Sequence, residues 1–238
     1  MVANLRPDRS VLAGVPLFSG LDDAECDDVL ATAHIRRVPK GGAVFEQGAE
    51  ANAFFVLVDG HLKAVQTTPA GQQVVLHFVK PRDFFGCVAL MGQPLYPATA
   101  LAIVDSIVLS WDNSTLRKLL ERHPKIATNA LAGFGVRMQE ARARLREIST
   151  EKVERRIAHA LLGLVRHSGR KVDDGVEIDF PISRQDIAEM IGTTLHTVSR
   201  TLSNWESQGI LDGGRQKIVI RKPHALVAIA EELDDSAH

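Results

Sequence analysis

Between Ser183 and Leu211 the chain reads SRQDIAEMIGTTLHTVSRTLSNWESQGIL, and the second half of that segment spaces polar groups along what reads as one helix. His196, Thr197, Ser199, Arg200 and Ser203 are short polar side chains, an imidazole and one guanidinium, a set suited to base edges and phosphates in a DNA groove. Val198, Leu202 and Trp205 fall between them at helical spacing, so one face is buried while the other is presented. Upstream, Ile187, Met190 and Ile191 supply the inner face of a first helix, Gly192 permits a tight turn, and Thr193 or Thr194 is placed to cap the next helix. Two short helices joined in this way are a helix-turn-helix. The plainer alternative is a helical hairpin with a solvated polar side.

The residues after Leu211 favour the DNA reader. Gly209, Gly213 and Gly214 bracket a turn, and Lys217 to Arg221 alternates as a strand does, which predicts a wing. The order helix, turn, helix, hairpin resembles the winged helix-turn-helix of the cyclic-AMP receptor protein and fumarate–nitrate reduction regulator (CRP/FNR) family, and SRQDIAEMIG followed by TVSRTL resembles its recognition region residue by residue. The resemblance implies a DNA-binding set of Ser183, Arg184, Gln185, Thr194, His196, Thr197, Ser199, Arg200 and Ser203, with Arg184 and Gln185 at backbone-contacting positions. It also implies RNA polymerase as a further partner. The family often carries a glutamate where His196 stands, so an altered half-site is expected, with Arg200 the main reader of guanine.

These elements need a body to hold them. At 238 residues and 45% hydrophobic content the chain suits two modest cores. Its apolar stretches are strand-sized and MVANLRPDRS lacks a secretion-signal core, so neither a membrane span nor export is expected and a cytoplasmic location is the default. The net charge of −1 does not advertise nucleic-acid binding, but Val136 to Arg170 holds nine Lys/Arg against four Asp/Glu, and local charge decides such contacts.

The first 110 residues read as short strands punctuated by glycine, with β-rich runs at Ala53–Val58, Val74–Val79 and Ala100–Leu109, predicting a small all-β roll. KGGAVFEQG, FFVLVDGHLKAV and DFFGCVAL resemble the cyclic-nucleotide-binding roll of the same family. The predicted architecture is therefore α+β: a cyclic-nucleotide-binding-like sensor roll over 1–112, a dimerisation helix over 113–149 and a winged helix-turn-helix over 150–238.

The resemblance places an effector pocket at Gly86, Cys87, Tyr96 and Pro97. Family members hold cyclic AMP with a glutamate on the ribose and an arginine on the phosphate. Here Cys87 follows Gly86 where the glutamate belongs, and Leu95-Tyr96-Pro97-Ala98-Thr99 covers the arginine region. A buried phosphate without a cation is costly, so cyclic AMP is not expected. Two cysteines, Cys26 and Cys87, cannot supply the four thiolates of an iron–sulfur cluster, and a structural disulfide is not expected either. Both read as buried or half-buried thiols, with redox sensing by Cys87 the alternative.

The Tyr96–Ala100 and Leu195–Arg200 motifs resemble the nitric-oxide-responsive denitrification regulators, which implies haem as a possible cofactor. Candidate axial ligands are His34, His61 and His77, with Cys87 and His123 behind them, and no pair has diagnostic spacing.

Between roll and reader, Asn113 to Ile148 reads as helix, interrupted near His123-Pro124. Leu131, Phe134, Met138, Ala141, Leu145 and Ile148 form a heptad stripe, which predicts a parallel two-stranded seam in a homodimer, the alternative being packing on the chain's own roll. A dimer would read an inverted repeat in double-stranded DNA. Two other readings remain: a roll that senses nothing or another small effector, and a cupin-like metalloenzyme. The second needs clustered histidines and a carboxylate, whereas His61 and His77 lie far apart and no His-x-His occurs. No nucleophile–base pair or phosphate-cradling glycine loop stands out, so the chain is not expected to be an enzyme.

Overall fold

A computed structural model describes residues 8–231. The chain divides into two compact units, Met1–Gln72 with Leu76–Glu140 and Ala141–His238 with Gln73–Val75.

The first unit begins with 3₁₀ turns at Arg9–Val11 and Pro16–Phe18 and a helix, α1 (Asp23–Ala31). Asp22 caps α1 by accepting the Glu25 N–H at 2.9 Å, while the Glu25 carboxylate accepts the Asp22 N–H at 2.8 Å, so two orphan donors are satisfied reciprocally. Eight strands follow: β1 (His34–Val38), β2 (Ala43–Phe45), β3 (Ala53–Asp59), β4 (Leu62–Thr67), β5 (Gln73–Val79), β6 (Phe84–Phe85), β7 (Thr99–Ala102) and β8 (Ser106–Asp112). They form two four-stranded sheets, in the orders β1-β8-β3-β6 and β2-β7-β4-β5.

The unbroken apolar run of β3 follows from burial on both faces. Phe54 and Val56 join a cluster with Leu109, Trp111, Leu116, Leu119 and Ile126, while Phe55 and Leu57 join another with Leu62, Val79, Phe85, Tyr96 and Val108. Phe54 stacks on Trp111 at 4.8 Å, and the Trp111 Nε1–H donates to the Val29 carbonyl at 2.9 Å, so the ring's polar handle is satisfied in the core.

The run expected as one strand over Ala100–Leu109 is two, because the chain turns between β7 and β8. The buried Ser106 hydroxyl donates to the Val104 carbonyl at 2.8 Å and closes that turn. Gly60 (φ 91°) lies against it, where a Cβ would come within 2.3 Å of the Ser106 oxygen.

The long helical stretch is α2 (Asn113–Arg122) and α3 (Pro124–Thr150), separated at His123. Asp112 caps α2 by accepting the Thr115 N–H at 2.8 Å and the Ser114 hydroxyl at 2.6 Å. The Ser114 hydroxyl above all, then the Thr115 N–H, hold the Asp112 carboxyl down to a pKa of about 2. Pro124 starts α3, where its missing N–H leaves no bond unmade.

In α3 the early turns pack on the chain's own roll. Ile126 and Ala130 are buried, Phe134 meets Phe84 edge to face at 5.8 Å, and the Arg137 guanidinium lies 4.7 Å over the same ring while donating to the Phe84 carbonyl. Phe134, expected in the seam, thus also serves the roll. The rest of the stripe is open: Leu131, Met138, Leu145 and Ile148 are 75%, 56%, 66% and 46% exposed.

The second unit contains α4 (Val153–Ser168), β9 (Gly169–Val172), β10 (Gly175–Ile178), α5 (Arg184–Ile191), α6 (Leu195–Ser207), β11 (Leu211–Gly214), β12 (Lys217–Ile220) and α7 (Pro223–Glu231). Its four strands pair in the order β11-β12-β10-β9. Ile157, Leu161, Ile187, Val198, Leu202, Trp205, Leu211 and Leu226 are buried in it. Among the described residues, no helix is long and apolar enough to cross a membrane.

Candidate nucleic-acid interface

The α5–α6 pair is built from short-range bonds. Ser183 caps α5: its hydroxyl accepts the Asp186 N–H at 3.0 Å, and the Asp186 carboxylate accepts the Ser183 N–H at 2.9 Å. Gly192 ends α5 in the left-handed region (φ 68°, ψ 52°), which a residue with a Cβ rarely adopts. Of the two threonines that could cap α6, Thr194 does so, accepting the Thr197 N–H at 3.2 Å. The inner faces are as expected: Ile187, Met190 and Ile191 on α5 and Val198, Leu202 and Trp205 on α6 are buried.

The residues singled out for DNA form two overlapping sets, those exposed on α6 and those engaged within the protein. His196, Arg200 and Ser203 are exposed on α6, one turn apart in succession, with Thr197 and Ser199 partly exposed beside them. His196 and Arg200 have no intramolecular partner among the described residues, so their donors are available to a ligand. The other group is engaged within the protein. Ser183 and Thr194 are caps, Thr194 and Thr197 share a hydroxyl hydrogen bond at 2.9 Å, and the exposed Gln185 donates to Glu189 at 2.8 Å. Arg184 donates to Glu206 at 2.7 Å, to the Ser203 hydroxyl at 3.2 Å and to the Ser199 carbonyl at 3.4 Å.

The wing adds cations that the motif reading did not single out. In the β11–β12 hairpin Leu211 pairs with Ile220 and Gly214 with Lys217, and the tip is Arg215-Gln216, with Gln216 at φ 61°. Arg215 is exposed and has no partner among the described residues, while Lys217 pairs with Glu177 at 3.3 Å. A basic residue between a glycine pair and a strand was the available signal.

In the roll the expected pocket residues are only partly brought together: Gly86 and Tyr96 both meet the Phe45 ring, while Cys87 lies in the other core cluster and Pro97 at the surface. Tyr96 is 3% exposed and stacks on Phe45 at 3.8 Å; Phe55 stacks on Phe85 at 5.3 Å, and Phe45 lies 5.5 Å from Phe55. The Tyr96 hydroxyl donates to the Ala53 carbonyl at 2.7 Å and accepts the Ala53 N–H at 3.2 Å, which uses both of its roles. At Gly86 (φ 78°) a Cβ would stand 2.9 Å from the Phe55 ring. Cys87 is buried, and burial pushes its thiol up to about 12, so no nucleophilic thiolate forms near neutrality. Pro97 is exposed, its carbonyl accepting from Gln66 at 3.3 Å.

The candidate haem ligands are not gathered. His34 is exposed on β1, and His61 and His77 are partly exposed, at the β3–β4 turn and on β5. An axial ligand needs an apolar slot around it, and none of these three is buried. Among the described residues no set of three or more His, Cys, Asp or Glu is placed to hold a metal ion. His123 is committed elsewhere, its Nε2 2.8 Å from Asp28 and its Nδ1 3.5 Å from Glu25.

Fold and site together define a class: a winged-helix DNA reader joined by a long helix to a cyclic-nucleotide-binding-like roll. The cyclic nucleotide-binding domain model matches residues 35–123, and the Crp-like helix-turn-helix domain model matches residues 155–229. The chain is 30% identical to the cyclic AMP receptor protein of Thermus thermophilus over 92% of this chain and 98% of that one. It is 23% identical to the transcriptional activator protein FnrA of Stutzerimonas stutzeri, over 91% and 88% of the two chains. The solved structure of FixK2 from Bradyrhizobium japonicum superimposes with a TM-score of 0.72 at 27% identity, covering 87% of this chain and 99% of that one. The chain belongs to the CRP/FNR family and is a DNA-binding transcription regulator, not an enzyme; the cupin-like reading falls away.

Proposed function

We propose that the protein acts as a homodimer, joined along α3, that reads an inverted-repeat operator with α6 and grips the flanking phosphates with its wings. The observation that carries this is the open stripe on α3. Its early turns rest on the roll, yet Leu131, Met138, Leu145 and Ile148 stand exposed in a repeat of three and four, which a second copy of the helix would cover. In each reading head Arg200 would bind guanine bidentately, His196 would modify the half-site, and Arg215 would meet a phosphate. RNA polymerase is the further partner expected of a regulator bound beside a promoter.

The roll, on this reading, takes a signal other than cyclic AMP. Cys87 and Tyr96 supply neither the carboxylate nor the cation, and Tyr96 is buried in a stack on Phe45. A nitric-oxide signal through haem rests on the sequence resemblance alone, and no step is assigned to it. The competing possibility is a roll that responds to nothing, with DNA read constitutively.

The test is sedimentation of the wild type and of Leu145→Glu, with titration of both against a symmetric operator. A dimeric wild type, and a monomeric variant that loses operator preference over random DNA, are expected. A monomeric wild type that still prefers the symmetric site would overturn the dimer. Absorption spectra after haem reconstitution, with and without nitric oxide, decide that part of the proposal: without a Soret band shifted by nitric oxide, it is removed.

A further inference from the structure

We infer that Arg184 and Glu206 form a clamp that fixes the wing against the recognition helix, so that Arg184 is a positioning residue and not a phosphate contact. The inference rests on α6 and the wing meeting DNA, and it departs from the role that the sequence resemblance gives Arg184.

Three elements meet at this pair. Arg184 is the first residue of α5, Glu206 lies in the last turn of α6, and Gly213 is on β11 of the wing. The Arg184 guanidinium spends one terminal nitrogen on Glu206 at 2.7 Å and the other on the Ser203 hydroxyl and the Ser199 carbonyl, so both nitrogens are directed at α6. The Glu206 carboxylate is pressed against the wing: a Cβ on Gly213 would stand 2.0 Å from its Oε1 and 3.5 Å from the Arg184 Nη2. Gly213 is not in the left-handed region, so its lack of a side chain answers to this close approach and not to backbone conformation.

Two further facts favour positioning. A carboxylate in the last turn of a helix faces the negative end of its dipole, and here it also stands near a surface meant for phosphates. Glu206 is unfavourably placed unless its negative charge is used within the protein, as the Arg184 bond uses it. The junction is also not filled by side chains, since a cavity of about 230 Å³ opens beside the pair, lined by Ser183, Leu202, Leu211 and Lys217 among others. The wing is also held by the buried Leu211 and Ile218 and by the Ile182 N–H donating to the Gln216 carbonyl at 3.1 Å, and the charge-assisted bond adds to these by fixing the Glu206 carboxylate where it meets Gly213.

The experiment compares wild type, Arg184→Met, Glu206→Gln and the double variant, in operator affinity across a salt series and in hydrogen exchange of the free protein over residues 211–220. With a clamp, each single variant weakens operator binding by roughly tenfold and the double variant is no weaker than either, the non-additivity of a coupled pair. The slope of log affinity against log salt stays unchanged in Glu206→Gln, and the wing amides exchange faster in both single variants. The inference fails if Glu206→Gln binds DNA more tightly, as loss of a bare negative charge would cause. It fails equally if Arg184→Met lowers the salt slope by about 0.9 while Glu206→Gln is neutral, the signature of an independent phosphate contact. Should the wild type show no operator preference, the DNA reading itself fails, while unchanged wing exchange in the variants would still reject the clamp. Arg184→Lys keeps the charge but cannot bridge two partners; if the Met variant misfolds, it is expected to show the same faster wing exchange, and wild-type exchange would overturn the clamp.

Discussion

The recognition helix and the interior of the roll hold their polar groups in opposite states. On α6, Arg200 and His196 are exposed and have no partner among the described residues, on a helix whose cap, turn and buried face are all satisfied by other residues. In the roll, at the positions where the family places its ligand contacts, the Tyr96 hydroxyl is spent on Ala53, the Cys87 thiol is buried and protonated, and aromatic rings fill the space. A binding surface leaves its donors unfinished on a rigid scaffold; a core finishes them. The contrast supports the assignment of recognition to the second unit.

The comparison can be broken most severely through the core. Trp111→Ala removes a ring buried at 0% exposure and is expected to cost about 3–5 kcal/mol, measured by urea unfolding; a loss under about 1 kcal/mol would mean that β3 and β8 do not anchor the roll. Next is Arg200→Ala, which should erase roughly 1–3 kcal/mol of discrimination at a guanine position while changing unfolding stability little. Equal affinity for every single-base operator variant in both proteins would take away the reading role of α6. Tyr96→Phe should show the reverse, losing about 0.5–1.5 kcal/mol of stability with the Ala53 hydrogen bond and leaving operator affinity alone. If it changes DNA binding instead, the roll's interior is a live part of the switch and not a finished core.

The smallest expected effect is electrostatic. Asp112 titrates at about 2 in the folded protein against a reference of 3.8, so its cap contributes stability that is complete above the reference value and is lost as pH falls towards 2. Because the carboxylate is exposed, solvent screens the effect. Asp112→Asn keeps a capping oxygen without the charge and should flatten the stability profile between about pH 4 and pH 2. Parallel profiles for the two proteins would remove Asp112 from the acid response.

Much of the reading head was legible because its determinants are local. Ile187, Met190 and Ile191, then Val198, Leu202 and Trp205, follow helical periodicity, and a glycine between the two runs marks the turn. The run AFFVLV reads as a strand, and burial on both faces explains why it does not alternate. The split of Ala100–Leu109 into β7 and β8 was not legible, because the signal is a buried Ser106 closing a turn against Gly60, 46 positions upstream. The stripe on α3 was visible as a repeat, yet the sequence could not say that Phe134 would also serve the roll.

The amino-acid order by itself determined the elements whose bonds close within a few residues: the Ser183–Asp186 capping box, the left-handed Gly192, the apolar faces of α5 and α6, and the seam repeat of α3. Tertiary structure alone decided which side chains are free. Arg184 meets Glu206 22 residues away and the Tyr96 hydroxyl meets Ala53 43 residues away, so one guanidinium is engaged while Arg200 has no partner among the described residues. Capping and periodicity act over one turn of backbone and leave a trace in spacing, whereas the pairing of distant polar groups depends on which surfaces the packed elements bring together.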